Sequence, residues 1–415
     1  MSGITQTQYG YNTVKFVTEI EGQAIEVDIT TVIAQLNLYE NLGKCGISGR
    51  ILVVDSANIF ARLQITGVEK IIIDMNAILN PETTIPIKRE FMLTAVIAKE
   101  IVNDSTISYL FELQEPHTFK GKIQKISKSY SGTPSQIIKN IVSGFLDKTV
   151  NVFSEPAQAV MSVIIPYITP LSAAKWILNR ATDEDGFPYF LYATLNSEDI
   201  HLKSLSDMMQ DPTRLQKYSY GGAVAHSKDA ARSILSIEKI KGNVGGTTLT
   251  SIVRGAVGQR YEVHDITFNN KNDQPQVRVS DYFDANLYDK NFTVDNKPVD
   301  EYESTFVFDI QTPSMTFGNS YGYDGDNLNK LVTKVVRGSI LTAVGTGTLT
   351  IDVSAWTFMA NNLNTIGNKI NIEILQLIDG VSKPDKEQSG EYLIVEAKHN
   401  FYDEKHDLTL KVVKV

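Results

Sequence analysis

Residues 164–209 read IIPYITPLSAAKWILNRATDEDGFPYFLYATLNSEDIHLKSLSDMM, and the way this stretch divides decides the fold. Thr169 ahead of Pro170 sets a hydroxyl N-cap before a proline at the first helical position, where the missing N–H is not needed. Leu171, Ala174, Ile177, Leu178 and Ala181 then recur at helical spacing, with Trp176 beside the buried stripe. The acidic turn Asp183, Glu184, Asp185, Gly186 ends that helix. Residues 187–195 (FPYFLYATL) are aromatic and β-branched and demand a strand, and residues 200–205 return as its partner. The stretch therefore predicts a helix laid on a hairpin.

Working toward the N-terminus, Thr133 and Pro134 repeat the Thr-Pro start signal, and Ile137, Ile138, Ile141, Val142, Phe145 and Leu146 give a second helical stripe. Residues 117–218 thus form a small α+β domain. Before it, apolar and polar residues alternate over 25–29, 32–39, 47–55, 68–75, 87–99 and 106–114, with a helical turn at 56–63 capped by Asp55 or Ser56. These elements predict an antiparallel barrel or sandwich over residues 11–116. Beyond the Gly221, Gly222 break, strands are expected at 233–241, 247–254, 348–353, 369–377, 390–401 and 408–413, the last two joined across Asp403, Glu404 and Lys405. A helix is expected over 328–341, with Leu328, Leu331, Val335 and Ile340 on its apolar side. Residues 265–327 are turn-rich: Asp281 to Asp326 hold ten Asp or Glu against two Lys, and the segment reads as an irregular acidic insertion.

The fold class is α+β, mainly β. Two successions of two strands, a helix and three strands, 32–115 and 233–254 rejoined to 328–414, have the same order, with EKIIIDM (69–75) and GTLTIDV (347–353) at the same step. A duplicated barrel would let three copies present six similar units in a ring, mating threefold with sixfold symmetry.

The 415 residues are 42% apolar, enough for several cores. A net charge of −9 disfavours a general nucleic-acid binder, which needs a basic face. Cys45 is the single cysteine, so no intrachain disulfide forms, and it reads as a small buried hydrophobe. The first residues lack the basic and apolar regions of a signal peptide, and the most apolar run, 160–168, is interrupted by Pro166 and too short to span a bilayer.

PYITPLSAAKWILNRA followed by GFPYFLYATLNSEDIHLKSLSDMM resembles the baseplate hub family of contractile-tailed bacteriophages, the myovirus hubs related to type VI secretion spike hubs. Pro170, Trp176 and Arg180 stand in that motif. DSANIFARLQITGVEKIII (55–73) resembles the same family at Asp55, Asn58, Gly67 and Glu69, and SGEYLIVEAKHNFYDEKHDLTLKVV resembles its closing hairpin, with His399 at the matching step. The sequence departs at Gln64, where the family often has proline, at His201, where it has an aromatic residue, and in the acidic insertion. The resemblance implies two tube-like barrels, 11–116 and 219–264 with 328–415, around the middle domain. It implies a homotrimeric ring between a hexameric tail tube and a central spike, with baseplate wedge proteins as further neighbours, in the virion tail after assembly in the host cytoplasm. Double-stranded DNA would cross the bore without specific binding, no membrane partner is implied, and acidic side chains are expected to face the lumen.

The competing classes are a cell-wall-degrading enzyme and a carbohydrate-binding tail protein. No Gly-rich phosphate loop, His-Glu-x-x-His helix, paired-cysteine motif or nucleophile elbow occurs, so no catalytic residue, cofactor or metal is assigned and the chain reads as a non-enzyme. His399 and His406 flank a hairpin without a third ligand nearby in sequence. Residues 321–327 (YGYDGDN) lack the spacing and closing Glu of a calcium loop. Asp and Glu abundance leaves a glycosidase pair uncounted, and the Tyr- and Asn-rich 282–323 segment could contact sugar or protein.

Overall fold

A computed structural model describes residues 8–20, 22–63, 65–80, 82–103, 105–157, 160–179, 181–184, 187–210, 217–221, 236–242, 253, 258–265, 270–278, 293–298, 301–302, 305–311, 348–360, 364–378, 380–385 and 388–414. The first part is β1 (Gln8–Ile20), β2 (Gln23–Asp28), β3 (Ile33–Asn41), β4 (Ser48–Asp55), α1 (Ile59–Arg62), β5 (Lys70–Asn80), β6 (Thr83–Asn103) and β7 (Thr106–Gln114). The middle part is α2 (Pro116–Ile123), β8 (Ser129–Gly132), α3 (Pro134–Leu146), β9 (Val150–Val152), β10 (Met161–Ile164), α4 (Pro170–Leu178), β11 (Tyr189–Ala193), β12 (Ile200–Ser204) and α5 (Leu205–Gln210). The last part holds β13 (Tyr218–Tyr220), β14 (Lys239–Gly242), β15 (Gly258–Asp265), β16 (Asn270–Arg278), β17 (Thr293–Val294), β18 (Lys297–Pro298), β19 (Thr305–Gln311), β20 (Thr348–Ser354), α6 (Trp356–Ala360), β21 (Lys369–Ile378), β22 (Val381–Pro384), β23 (Gly390–Tyr402) and β24 (Lys405–Lys414).

The chain is mainly β, and one large sheet dominates, in the order β13-β21-β23-β3-β4-β7-β6-β5-β1-β24-β20-β14. Because β23 also pairs with β24, the hydrogen-bonded path from β23 through β3 and β1 to β24 returns on itself. Alternation sets its inner face: Leu36 and Leu38, Ile51 and Val53, Phe91 and Leu93, Phe111 and Leu113 are all buried. Phe60 from α1 inserts against Phe16 and Phe111, with ring centroids 5.2 and 5.3 Å away. One apolar cluster runs from Tyr9 to Val413 through strands of both ends of the chain, and a second occupies the middle part around Ile137, Ile141, Ile177 and Leu202.

The pairing order β3-β4-β7-β6-β5 recurs as β14-β20-β24-β23-β21, antiparallel at every step. A bulge lies between Leu93 and Ala95 opposite Leu113 and Glu112, and another between Ile394 and Glu396 opposite Val412 and Lys411. Lys70 and Glu90 form an ion pair at 2.8 Å, as do Lys369 and Glu391. The Glu69 carbonyl accepts from Leu93 N at 2.8 Å, and the Asn368 carbonyl accepts from Ile394 N at 3.0 Å. Gly67 and Gly367, at φ +88° and +77°, turn the chain into β5 and β21. These rungs pair β4 with β20 and β5 with β21, so residues 69–75 correspond to 368–374 and not to 347–353. The short helix of the second set is α6, carrying buried Phe358. Both helical expectation 328–341 and strand expectation 247–254 fall outside the described residues, Val253 apart.

Two further expectations change. β1 is a strand the alternation over 25–114 leaves out; it bulges between Tyr11 and Thr13, and past that point Val14, Phe16 and Thr18 alternate inward. The acidic segment is not wholly irregular: β15, β16 and β19 form a separate three-stranded sheet. Its strand NKNDQPQVR hides from β propensity, since Pro275 sits where the register shifts opposite Gln259 and Tyr261.

The β23–β24 turn places Asp403 and Glu404 at φ +45° and +60°, two left-handed residues in a two-residue hairpin loop with no glycine. Replacing them with Asn-Gly relieves about 1–2 kcal/mol of strain. Calorimetry at fixed pH is expected to show a midpoint higher by about 1–3 °C; an unchanged or lower midpoint refutes this account of the turn.

Candidate functional site

The helix-on-hairpin predicted from residues 164–209 forms as expected. Thr169 accepts a hydrogen bond from Ser172 N at 3.3 Å ahead of buried Pro170, and β11 pairs β12 from Tyr189↔Ser204 to Ala193↔Ile200. The strand is buried on both faces. Tyr189 and Leu191 enter the middle core, while Tyr192 and Ala193 enter the main one. That is why its sequence is continuously apolar rather than alternating.

Polar contacts orient one body on the other. Arg89, on the inward phase of β6, directs Nη2 at three carbonyls of the turn after β11: Thr194 at 3.0 Å, Leu195 at 2.5 Å and Ser197 at 2.6 Å. Glu40, on the inward phase of β3, accepts from Leu195 N. From the second strand set, Asn364 Oδ1 accepts from the Thr194 hydroxyl at 3.0 Å. A Cβ at Gly367 would come within 2.8 Å of the Tyr192 hydroxyl, so glycine permits that close approach. The turn at 194–197 is therefore gripped from both strand sets at once.

Behind it lies a sealed chain of titratable groups. Glu40 Oε1 is 3.2 Å from His399 Nε2, and His399 Nδ1 is 3.1 Å from His406 Nε2. All three residues are buried. Burial, then the neighbouring His399, holds the His406 imidazole well below its ordinary value. His201, packed between Phe153 and Tyr192 with centroids 5.5 Å from each, is lowered chiefly by burial. A second seam joins the bodies lower down: Glu115 Oε2 accepts from Ile47 N at 2.7 Å, and His117 Nε2 lies 2.7 Å from the Cys45 carbonyl. His117 is likewise lowered by burial. Cys45 hydrogen-bonds the Leu191 carbonyl at 3.5 Å, and desolvation pushes its thiol up to about 12, which makes it inert.

The family-motif positions fall in three places. Asp55 caps α1, accepting from Ile59 N at 3.0 Å and Phe60 N at 2.9 Å. Asn58 is left-handed at φ +56°, and Glu69 ties the turn by accepting from Gly67 N at 2.9 Å and the Thr66 hydroxyl at 2.9 Å. Pro170 and Trp176 pack α4 on the middle core. His399 lies in the joint, brought against His406 as their hairpin positions allow. Arg180, Gln64 and residues 321–327 lie outside the described residues. Glu40 and Arg89 escaped sequence reasoning, although the signal was there: each is a charge on the buried phase of an alternating strand. Among the described residues, no group of three His, Cys, Asp or Glu side chains is disposed to hold a metal. Glu40, His399 and His406 have the order of a proton relay, but no substrate atom reaches a chain sealed from solvent. The arrangement fixes one body on another.

The fold so defined is that of phage tail proteins. The 43 kDa tail protein of prophage MuSo2 from Shewanella oneidensis matches at TM-score 0.55 and 10% identity over 97% of this chain and 98% of that one. A tail protein from Neisseria meningitidis matches at TM-score 0.55 and 10% identity over 98% and 97%. An E. coli component of the type VI secretion system matches at TM-score 0.44 and 11% identity over 92% and 74%. No family model and no curated protein matches the sequence.

Two outcomes follow from the joint. Arg89→Ala strands three buried carbonyls and is expected to cost about 2–4 kcal/mol; hydrogen exchange should quicken at 189–204 before the rest of the main sheet, and uniform exchange contradicts the clamp. His117, His201 and His406 have folded values below their unfolded ones, so unfolding takes up protons. Stability is then full above about pH 6.5 and declines as pH falls below it. Melting midpoints should drop between pH 7.5 and 5.5, and His406→Asn should flatten that drop; a variant with the wild-type slope excludes His406 as a contributor.

Proposed function

We propose that this chain is a structural component of a contractile phage tail, the central hub of the baseplate, and not an enzyme. Three copies form a ring of six similar strand sets, one within residues 11–116 and one within 219–264 and 328–415 of each chain, β15 standing apart in its own sheet. That ring joins the hexameric tail tube above to a trimeric spike below, with wedge proteins outside. The observation that carries this reading is the repeated strand set, down to the matching bulges and ion pairs. A unit that occurs twice per chain and three times per ring satisfies a sixfold neighbour with a threefold body. The joint at 194–197 then fixes the middle domain on the ring.

The polar face of β14-β20-β24-β23-β3-β4-β7-β6 is the wall this ring turns toward its bore. On this reading the wall balances its charges, in place of the acidic lumen expected from net charge. Lys239 stands opposite Asp352 and Arg50 opposite Glu112 across paired strands, while Lys411 lies 3.3 Å from Glu396. DNA entering such a wall meets compensated charge and is neither held nor strongly repelled.

Light scattering with class-averaged electron micrographs tests the assembly: a threefold ring with a central opening is expected, and a persistent monomer that cleaves peptidoglycan overturns the hub in favour of the enzyme. Wild-type protein should leave duplex DNA unretained at 0.15 M salt, whereas Glu112→Gln with Glu396→Gln should acquire salt-sensitive binding through the uncompensated Arg50 and Lys411. Equal retention by both proteins would refute the compensated wall.

A further inference from the structure

The edge of β6 left unpaired among the described residues has an occupied counterpart within the same chain. β23 changes partner at its bulge: Gly390 to Leu393 pair with β21, and Glu396 to Phe401 pair with β3. β6 follows the first half of that course, pairing with β5 up to Met92 and bulging after Leu93. Past that point its edge away from β7 carries no strand among the described residues. β14, at the opposite end of the sheet, pairs with β20 alone among them.

Matching rungs give the correspondence. Lys99 faces Tyr109 as His399 faces Leu408, so Ile101 takes the place of Phe401. Gly49 pairs Leu38 and Leu113, while Leu349 pairs Gly242 and Val412, so Ile240 takes the place of Leu36. Within the chain, Phe401 lies opposite Leu36 and Asn400 opposite Asn37. We infer that the free edge of β6 in one copy receives β14 of a second copy, antiparallel, with Ile101 opposite Ile240 and Glu100 opposite Lys241. This rests on the ring proposed above and assigns its subunit contact.

The side chains suit that occupant. Ile101 is 76% exposed and Val102 61%, and Val96 and Ile97 on the same stretch of β6 are exposed as well. An uncovered apolar strand edge is an aggregation hazard that a second copy removes. Ile101 and Ile240 share the inward phase, and Glu100 and Lys241, both exposed, share the outward phase with opposite charge. The sheet then passes from copy to copy by the contact it already makes inside each.

Directly opposed residues in an antiparallel pair lie within disulfide reach. In a Cys45→Ala background, Ile101→Cys with Ile240→Cys should oxidise to covalent dimers and trimers on a denaturing gel, while each single variant should not. Glu100→Lys should weaken trimer formation about tenfold, and Glu100→Lys with Lys241→Glu should restore it; melting midpoints of the variants confirm folding. A threefold ring that cross-links through Lys99→Cys with Ile240→Cys, but not through the opposed pair, overturns the assigned register and leaves the ring standing. A folded chain that is monomeric at every concentration, with no ring in micrographs, overturns the ring itself.

Discussion

The hairpin β23–β24 has two sets of neighbours, and the architecture follows from that fact. β23 pairs with β21 at its open end and with β3 toward the turn, while β24 pairs with β20 along most of its length and, through Lys405, with β1. The bulge near Val395 marks the change of partner, and the extra carbonyl it exposes is taken by Leu42 N at 3.0 Å. A strand cannot sit in two sheets without making them one. The apolar side chains of both sets therefore fall into one cluster, so neither set is buried independently of the other.

The middle part is added to that body by a different kind of force. Tyr192 and Ala193 supply apolar contact, but contact alone is non-directional. Direction comes from Arg89 and Glu40, whose charges reach backbone groups of one short turn. A guanidinium suits this role better than an ammonium, because its planar donors stay charged when buried and converge on several carbonyls from a fixed geometry. Burying such groups is costly unless they are satisfied, so the turn must be present and correctly placed for the strands to accept them. The joint thereby ties the position of residues 194–197 to the folding of β3 and β6.

Much of this was legible in the residues. The Thr-Pro starts at 133 and 169 are local chemistry, and both helices begin there. Strands with clean alternation, such as β4, β7 and β20, announced themselves through period two. What resisted were features set by distant partners. The bulge in β1 shifts its phase between Tyr11 and Thr13, and α6 is too short to show a helical stripe. The joint was hidden for a related reason: a lone Arg or Glu on a buried phase looks like an error in the pattern until the carbonyls it serves are found 105 residues away.

The misplaced internal equivalence has the same origin. EKIIIDM resembles GTLTIDV because any two half-buried strands of that length share alternation and β-branched content, whatever their place in a sheet. Position in the sheet is recorded elsewhere, in single rungs: a left-handed glycine before the strand, an ion pair on the outer face, a bulge beside it. Such marks need few residues and little identity. A sheet specified in this way can lose nearly all its sequence likeness within one chain while each strand keeps its neighbours. Alternation makes a strand and burial makes it stable, but the rung marks decide which strand it becomes.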